Sequence, residues 1–104
     1  MKADDPVLQR FRAALHEAYG ARLERAVLYG SRARGDARPD SDYDIAVFLR
    51  NFTDLECELD VLAKIGVEIL DETGAVINSM PFREGAYNQR TGFMQEVRED
   101  GRDL

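Results

Sequence analysis

The chain has 104 residues, and its net charge of −6 comes from 14 Lys and Arg against 20 Asp and Glu. This length predicts a single domain over residues 1–104, and the acidic balance argues against a protein that coats DNA or RNA by charge. One cysteine, Cys57, and one histidine, His16, exclude an intramolecular disulfide, a cysteine-rich zinc site and a site built from several histidines.

The first half of the chain predicts a helix followed by two strands. Asp5 is a favoured N-cap and Pro6 suits the first helical position. Apolar residues then recur every 3.6 residues up to Gly20, which favours the end of the helix. Apolar runs over 26–29 and Tyr43–Leu49 predict strands. Because the second run is apolar on both sides, we expect both faces of the sheet to be covered.

A long helix follows in the second half of the chain. Thr53 and Glu56 have the spacing of a capping box, which predicts the helix start, and Gly74 favours its end. Apolar residues predict the buried face: Leu55, Leu59, Leu62, Gly66 and Ile69. Charged residues recur every four positions and predict the solvent face: Glu56, Asp60, Lys64, Glu68 and Glu72. Cys57 lies between the two stripes and is interpreted as a small packing residue.

The last third predicts one more strand and one more helix. Residues 75–80 predict a third strand, which Pro81 stops, and residues 82–91 predict a loop. Thr91 predicts the cap of a final short helix that contains Phe93, Met94 and Val97 and ends at Gly101. This order of elements predicts an α/β (α+β) fold, with a small mixed β-sheet flanked by helices.

Charge is distributed unevenly along the chain. Residues 1–50 contain 9 basic and 8 acidic residues, whereas residues 51–104 contain 5 and 12, so their net charges are +1 and −7. The acidic second half favours a basic partner. No apolar run approaches the roughly 20 residues needed to span a bilayer, and the first residues lack a signal-peptide core. We therefore expect a cytoplasmic protein with no membrane association.

A polar segment between the first two predicted strands suits phosphate binding. Gly30 allows a sharp turn and the close approach of a phosphate, and Ser31 begins a short predicted helix whose free N–H groups suit an anion. Arg32 and Arg34 can add charge-assisted hydrogen bonds to phosphate oxygens. The segment therefore predicts an anion pocket in an otherwise acidic protein.

Two aspartates, Asp42 and Asp44, precede the second strand. At this spacing the side chains of a strand point to the same face, about 6.6–6.8 Å apart. Paired carboxylates suit hard divalent cations that are shared with phosphate oxygens, and two such ions can stabilise both oxygens of an in-line displacement. The combined order of strand, Gly-Ser turn, Asp-x-Asp and strand is more specific than any of its parts.

Residues 28–35, Leu-Tyr-Gly-Ser-Arg-Ala-Arg-Gly, and residues 41–45, Ser-Asp-Tyr-Asp-Ile, resemble the minimal nucleotidyltransferases of the DNA polymerase β-like superfamily. The close match covers residues 27–49, and the element order fits most of the rest. The resemblance implies a polymerase β-like fold and transfer of a nucleoside monophosphate from an NTP, usually ATP, to a hydroxyl. It also implies Mg²⁺, with two ions, and a HEPN-domain partner, because HEPN-paired members act as antitoxins and some attach AMP to a tyrosine of the toxin.

The same resemblance assigns roles to individual residues. It implies that Gly30 and Ser31 hold the triphosphate and that Asp42 and Asp44 are catalytic and bind metal. Arg32 and Arg34, from their charge, and Ser41 are the further nucleotide-binding candidates. The superfamily usually has a third carboxylate on the strand after the long helix, but residues 75–80 contain no Asp or Glu. Asn78 and Ser79 are the only polar side chains of that strand, and Asp71 at the helix end is the acidic alternative, since Glu68 falls in the solvent stripe. We expect the loss of a ligand charge to weaken Mg²⁺ binding and to slow transfer.

The sequence leaves two functions of different classes open. The first is a Mg²⁺-dependent nucleotidyltransferase that adenylylates a tyrosine of a HEPN toxin and acts as its antitoxin. The alternative is a catalytically weak antitoxin that neutralises its partner by binding, which the missing carboxylate favours. Transfer to a small molecule such as an aminoglycoside is disfavoured, because the chain has little room for a substrate domain. The acceptor, the preferred nucleotide and homo-oligomerisation are left open.

Overall fold

A computed structural model describes residues 5–104, and within that range four helices and four strands alternate along the chain. The helices are α1 (Pro6–Tyr19), α2 (Ser31–Arg34), α3 (Leu55–Thr73) and α4 (Gly92–Asp100). The strands are β1 (Leu23–Tyr29), β2 (Tyr43–Leu49), β3 (Ile77–Arg83) and β4 (Arg102–Asp103). No helix in the described range combines the length and hydropathy needed to cross a bilayer.

The strands form one sheet in the order β3-β2-β1-β4. β1 pairs antiparallel with both β2 and β4, whereas β2 and β3 are parallel. The predicted small mixed sheet flanked by helices is therefore confirmed. The two-residue strand β4 was not predicted, because it is too short to show a hydropathy pattern.

The central strand β2 is buried on both faces, as its sequence predicts. Ile45, Val47 and Leu49 pack into a core with α1 and α3. Ala46 and Phe48 face the other side and pack with residues of α4. Burial on both sides explains why this strand reads as a continuous apolar run.

The capping-box prediction for α3 is wrong by one residue. Asp54 is the N-cap, and its Oδ1 accepts hydrogen bonds from the backbone N–H groups of Glu56 and Cys57, at 2.9 and 3.4 Å. The thiol of Cys57 also donates to this carboxylate. The hydrogen bond from the thiol has the largest effect, and together with those from the two N–H groups it lowers the pKa of the Asp54 carboxyl. An ionised carboxylate that accepts several N–H groups caps a helix at least as well as the hydroxyl of Thr53.

The predicted buried face of α3 is rotated from the observed one. Leu55 and Leu59 are 52% and 38% exposed, and Cys57 is exposed, so the packing role predicted for each is wrong. Leu62 and Ile69 are buried as predicted, and the helix also buries Glu58 and Ile65. Glu58 can be buried because its carboxylate contacts the guanidinium of Arg22 in a salt bridge. The predicted solvent stripe is confirmed, since all five of its charged residues are exposed.

The prediction that Pro81 stops the third strand is also wrong, because β3 continues through it to Arg83. The carbonyl of Val76 accepts from the N–H of Tyr43 at 2.9 Å, and that of Leu49 accepts from the N–H of Glu84 at 3.0 Å. The backbone N–H and C=O groups of even-numbered residues therefore point toward β2, and the backbone nitrogen of Pro81 points away from it. No ladder hydrogen bond is lost there, as expected for proline on an edge strand.

The termini of the other helices follow the sequence. The side chain of Asp5 accepts from the N–H of Val7 at 2.9 Å and caps α1. The hydroxyl of Thr91 accepts from the N–H of Met94 at 3.1 Å and caps α4, which Gly101 ends. The predicted loop over 82–91 is only partly confirmed, because β3 occupies its first two residues and a 3₁₀ turn covers Ala86–Asn88.

Candidate active site

The end of β1 and the beginnings of β2 and β3 meet at one end of the sheet, where these strands terminate. Asp44 of β2 lies in register with Tyr29 on one side and with Asn78 on the other. This register is what brings residues from distant parts of the chain to the two predicted catalytic aspartates.

The amide of Asn78 joins the two aspartates. Its Nδ2 donates to Oδ2 of Asp42 at 2.8 Å and to Oδ1 of Asp44 at 3.4 Å. The two carboxylates therefore converge on one point, as expected for side chains two residues apart at the entry to a strand. Asp42 and Asp44 are exposed and half-buried respectively, so a ligand can reach both.

Gly30 makes room for one of these carboxylates. Its φ is +77°, and a Cβ built on it would lie 2.6 Å from Oδ2 of Asp44. Any side chain here would have to displace the carboxylate of Asp44. The sequence predicts glycine for the turn and for phosphate approach, but it does not reveal this contact, because Asp44 is far along the chain and reaches Gly30 only through the pairing of β1 with β2.

The Gly-Ser turn begins a single helical turn, as predicted. The carbonyl of Gly30 accepts from the N–H groups of Ala33 and Arg34, both at 3.1 Å, and Ser31 is half-buried at the start of α2. Gly35, with a φ of +87°, ends the turn. Ser31 therefore directly follows Gly30, the residue that lies against the carboxylate of Asp44.

Arg32 braces the loop that leads to the aspartates. Its Nε donates to the carbonyl of Ser41 at 2.9 Å and its Nη2 to that of Pro39 at 3.1 Å. Its guanidinium also stacks on the ring of Tyr43, 4.0 Å from the ring centre. The hydroxyl of Ser41 accepts from the N–H of Arg38 at 2.9 Å. Arg32 and Ser41 thus fix the loop, and their predicted contacts with the nucleotide stay predictions.

Arg34 points toward acidic partners on the surface. It forms ion pairs with Asp36 and with Asp100 of α4, each at 3.4 Å. Exposed pairs of this kind exchange readily with solvent and other anions. The nucleotide-binding role of Arg34 also stays a prediction.

Of the residues considered for the third ligand, the structure brings only Asn78 to the aspartates. Asp71 is exposed on α3. Within residues 5–104, no group of three or more His, Cys, Asp or Glu is arranged to hold a metal ion, so Asp71 does not complete a carboxylate triad. Ser79 follows Asn78 in β3 and therefore points to the opposite face of the sheet.

Two tyrosines of the sheet, Tyr29 in β1 and Tyr43 in β2, have raised pKa values. Burial, and then the negative charges of Asp44 and Glu96, raise the pKa of Tyr29. Burial and a hydrogen bond from the Tyr43 hydroxyl to Asp5 at 3.0 Å raise the pKa of Tyr43, against the opposing effect of Arg32. Both hydroxyls are thus neutral near pH 7 and add no negative charge to the sheet.

Comparisons with known proteins agree with this geometry. A relative from Methanocaldococcus jannaschii, named "Putative protein adenylyltransferase", is 31% identical over 103 residues that span 97% of each chain. A crystal structure of a toxin-antitoxin with AMP-PNP has a TM-score of 0.68 at 18% identity, over 91% of this chain and 69% of that one. A structure of a variant of the toxin-antitoxin MntA-HpeT has a TM-score of 0.66 at 18% identity, over 93% and 70%. At such identities the two structures show a shared fold.

Residues 16–103 match the family model described as "Polymerase beta, Nucleotidyltransferase". This range contains the Gly-Ser turn, both aspartates and Asn78. The chain therefore belongs to the polymerase β nucleotidyltransferase family.

Proposed function

We propose that this nucleotidyltransferase transfers AMP from ATP to a hydroxyl of a partner protein, with Asp42 and Asp44 at the reacting phosphate. The observation that carries the proposal is the convergence of the two carboxylates beside the turn at Gly30 and Ser31. The relative from M. jannaschii, named as a protein adenylyltransferase, supports AMP and a protein acceptor.

The side chains at this point suit a magnesium ion. Mg²⁺ is usually held by one or two carboxylates together with substrate phosphates, not by a cage made of protein alone. Asp42 and Asp44 supply two accessible carboxylates that already approach one amide nitrogen. A bound Mg²⁺ would offset the negative charge of the triphosphate and that of the carboxylates.

The residues of the chain position the reacting groups. The acceptor hydroxyl oxygen bonds to the α-phosphorus, the bond to the β-phosphate oxygen breaks, and pyrophosphate leaves with the electron pair. The hydroxyl proton passes to water, because the described part of the chain places no third carboxylate beside Asp42 and Asp44. Ser31 and the turn at Gly30 would hold the phosphates in line with the acceptor.

We infer that the acceptor is a tyrosine of a HEPN-domain toxin and that the chain is its antitoxin. Two structural neighbours are toxin-antitoxin assemblies, one of them with AMP-PNP, which supports both the partner class and an adenine nucleotide. The net charge of −7 on residues 51–104 favours a basic partner. A phenolic hydroxyl reaches further than that of serine into a site at a sheet edge.

A second candidate function is an antitoxin that neutralises its partner by contact, with little transfer. The neutral amide of Asn78 favours it, because the site then has two carboxylates and no third ligand charge to hold a catalytic metal. The two functions differ in whether the aspartates are needed for neutralisation.

Calorimetric titration of ATP, with Mg²⁺ and with EDTA, tests the site in the absence of any acceptor. We expect binding that requires Mg²⁺ and that falls at least about tenfold in Asp42→Asn with Asp44→Asn. Asp40→Asn is the matched control, because it removes an exposed charge from the same loop, two residues before Asp42. Equal binding by the wild type and the double variant would show that the site is placed wrongly.

Co-expression with a HEPN-domain toxin tests the acceptor. Mass spectrometry is expected to find AMP on a tyrosine of that protein with the wild type and none with the double variant. Neutralisation by the double variant, without AMP on the partner, would instead select the contact function.

A further inference from the structure

An apolar groove runs between α3 and the edge strand β3. Its volume is about 480 Å³, and residues of α3 form one wall and the start of β3 the other. Four of its apolar side chains are unusually exposed: Leu59 by 38%, Val67 by 58%, Leu70 by 46% and Val76 by 44%. Large apolar side chains grouped in one concave surface are typical of a binding surface, unlike the same residues scattered singly.

The backbone of β3 adds hydrogen-bonding groups to this groove. Within residues 5–104, β3 pairs with β2 alone, so its other side is an open edge. The alternation set by Val76 points the backbone N–H and C=O groups of Ile77 and Ser79 away from β2, and both residues line the groove. Pro81 is the next outward residue and has no N–H, which limits pairing to a short segment.

The charge of α3 indicates what the groove binds. The helix contains six acidic residues and one lysine, a net charge of −5, and Asp60 lines the groove itself. Two copies of this chain joined through the groove would bring two such helices together, which is electrostatically unfavourable. A segment with basic residues is attracted instead.

The groove leads to the candidate active site. Asn78 lines the groove and also donates to both Asp42 and Asp44. A segment paired along Ile77 and Ser79 would therefore run beside the aspartates. Its side chains would point alternately into the groove and away from it.

We propose that the groove binds an extended segment of the acceptor protein, with both apolar and basic side chains turned toward α3, as an added strand on β3. Strand addition supplies backbone hydrogen bonds, and side-chain pockets supply specificity. The segment places the acceptor hydroxyl beside Asp42 and Asp44, where it attacks the α-phosphorus of ATP, its proton passes to water and pyrophosphate leaves. This inference rests on the proposed transfer of AMP to a protein.

Binding is tested first without ATP, by fluorescence anisotropy with a labelled peptide in which pairs of valines and pairs of lysines flank one tyrosine, so that each face of the strand carries both side chains. A matched peptide has glutamate in place of lysine. We expect a Kd of about 0.1–1 mM or tighter for the lysine peptide and at least about tenfold weaker binding of the glutamate peptide. Affinity for the lysine peptide should fall as salt rises.

Two variants test where the peptide binds. Val67→Ser with Leu70→Ser removes two exposed apolar side chains of the groove and should weaken lysine-peptide binding about tenfold. Leu55→Ser is the matched control, because it truncates an equally exposed leucine of α3 that does not line the groove. Circular dichroism verifies that each variant is folded.

A charge reversal distinguishes the effect of a charge inside the groove from the effect of the net charge of the protein. Asp60→Lys should weaken the lysine peptide and strengthen the glutamate peptide, each about fivefold. Glu84→Lys gives the same change in net charge at an exposed position outside the groove and should have less than half that effect. Equal effects of the two substitutions would overturn the groove as the binding surface.

AMP incorporation into the lysine peptide separates failure of docking from failure of the proposed function. Peptide binding that depends on the groove, without AMP incorporation, supports the docking surface and contradicts the transfer activity on this acceptor. AMP incorporation that is unchanged by the groove variants contradicts the docking surface and leaves the transfer activity intact. The inference is overturned if neither peptide binds. It is also overturned if sedimentation shows a dimer that the groove variants dissociate.

Discussion

The amide nitrogen of Asn78 lies 2.8 Å from Oδ2 of Asp42, and Asn78 is also the residue of β3 in register with Asp44. A donor that contacts two carboxylates offsets part of their mutual repulsion. The amide of Asn78 carries no negative charge, so two carboxylates meet here. An aspartate in place of Asn78 would make three. We therefore expect this residue to set how strongly the proposed site attracts a cation.

Asn78→Asp is expected to tighten Mg²⁺ binding about tenfold, because a third carboxylate replaces a neutral amide. Without the cation, the variant should unfold at a lower temperature than the wild type, since three like charges then converge. Thermal unfolding with and without Mg²⁺ measures both effects, and AMP incorporation measures whether transfer also becomes faster. Asn78→Ala is the control, because it removes the donor and adds no charge. An equal response to Mg²⁺ in all three proteins would contradict the placement of the cation.

Two glycines with positive φ provide a matched pair of tests. Gly35→Ala should lower the free energy of unfolding by about 1–2 kcal/mol, the cost of a left-handed L-residue. Gly30→Ala should lower it by about 1–3 kcal/mol, because a ψ of −157° puts Gly30 in a region that only glycine readily adopts. Only at Gly30 would the new Cβ meet the carboxylate of Asp44, at 2.6 Å, whereas Gly35 has no atom within 4 Å of that position. Displacement of a reacting group by about 1 Å can cost about 100-fold in rate.

We therefore expect AMP transfer to fall about 100-fold in Gly30→Ala and to remain near the wild-type rate in Gly35→Ala. Urea unfolding and AMP incorporation on the same preparations check the two effects together. Similar losses of transfer in both variants would mean that the turn, not the position of Asp44, limits activity.

Elements that depend on local chemistry could be predicted from the sequence. Asp5, Pro6 and Gly20 mark α1 because capping and helix termination involve only neighbouring residues. The bounds of β2 are as predicted because a strand buried on both faces gives an uninterrupted apolar run. The spacing of Asp42 and Asp44 also predicts that they share one face, and both accept from the amide of Asn78.

Features that depend on distant residues could not be predicted. Glu58 is buried because Arg22, 36 residues earlier, contacts it, so the face of α3 could not be assigned from hydropathy alone. Pro81 continues β3 because that strand is at an edge, which is a property of the assembled sheet. The choice between Asp71 and Asn78 depended on the register of β3 against β2, which leaves no mark in the sequence.

Arg32 is expected to act on the loop before the aspartates even when no nucleotide is present. Arg32→Lys keeps the charge but loses the planar fork that contacts the carbonyls of Ser41 and Pro39. Hydrogen exchange at the N–H of Ser41, which donates to Arg38, should become about fivefold faster without ATP, a change of about 1 kcal/mol in local opening. Arg38→Lys is the control, because its side chain has no such contacts in the described loop. Unchanged exchange together with weaker ATP binding would assign Arg32 to the nucleotide alone.

Tyr19 is expected to make the protein lose stability in alkaline solution. Burial, and then the nearby carboxylate of Glu58, raise the pKa of Tyr19 from 10.0 to about 12, against the opposing effect of Arg22. In the unfolded chain the phenol loses its proton near its ordinary pKa, so between pH 10 and about 12 the unfolded state binds fewer protons than the folded one. The contribution of this group to the free energy of unfolding is therefore complete below pH 10 and is lost as pH rises through that window. Urea unfolding across this range should show a shallower decline in Tyr19→Phe than in the wild type, and parallel curves for the two proteins would contradict the assignment.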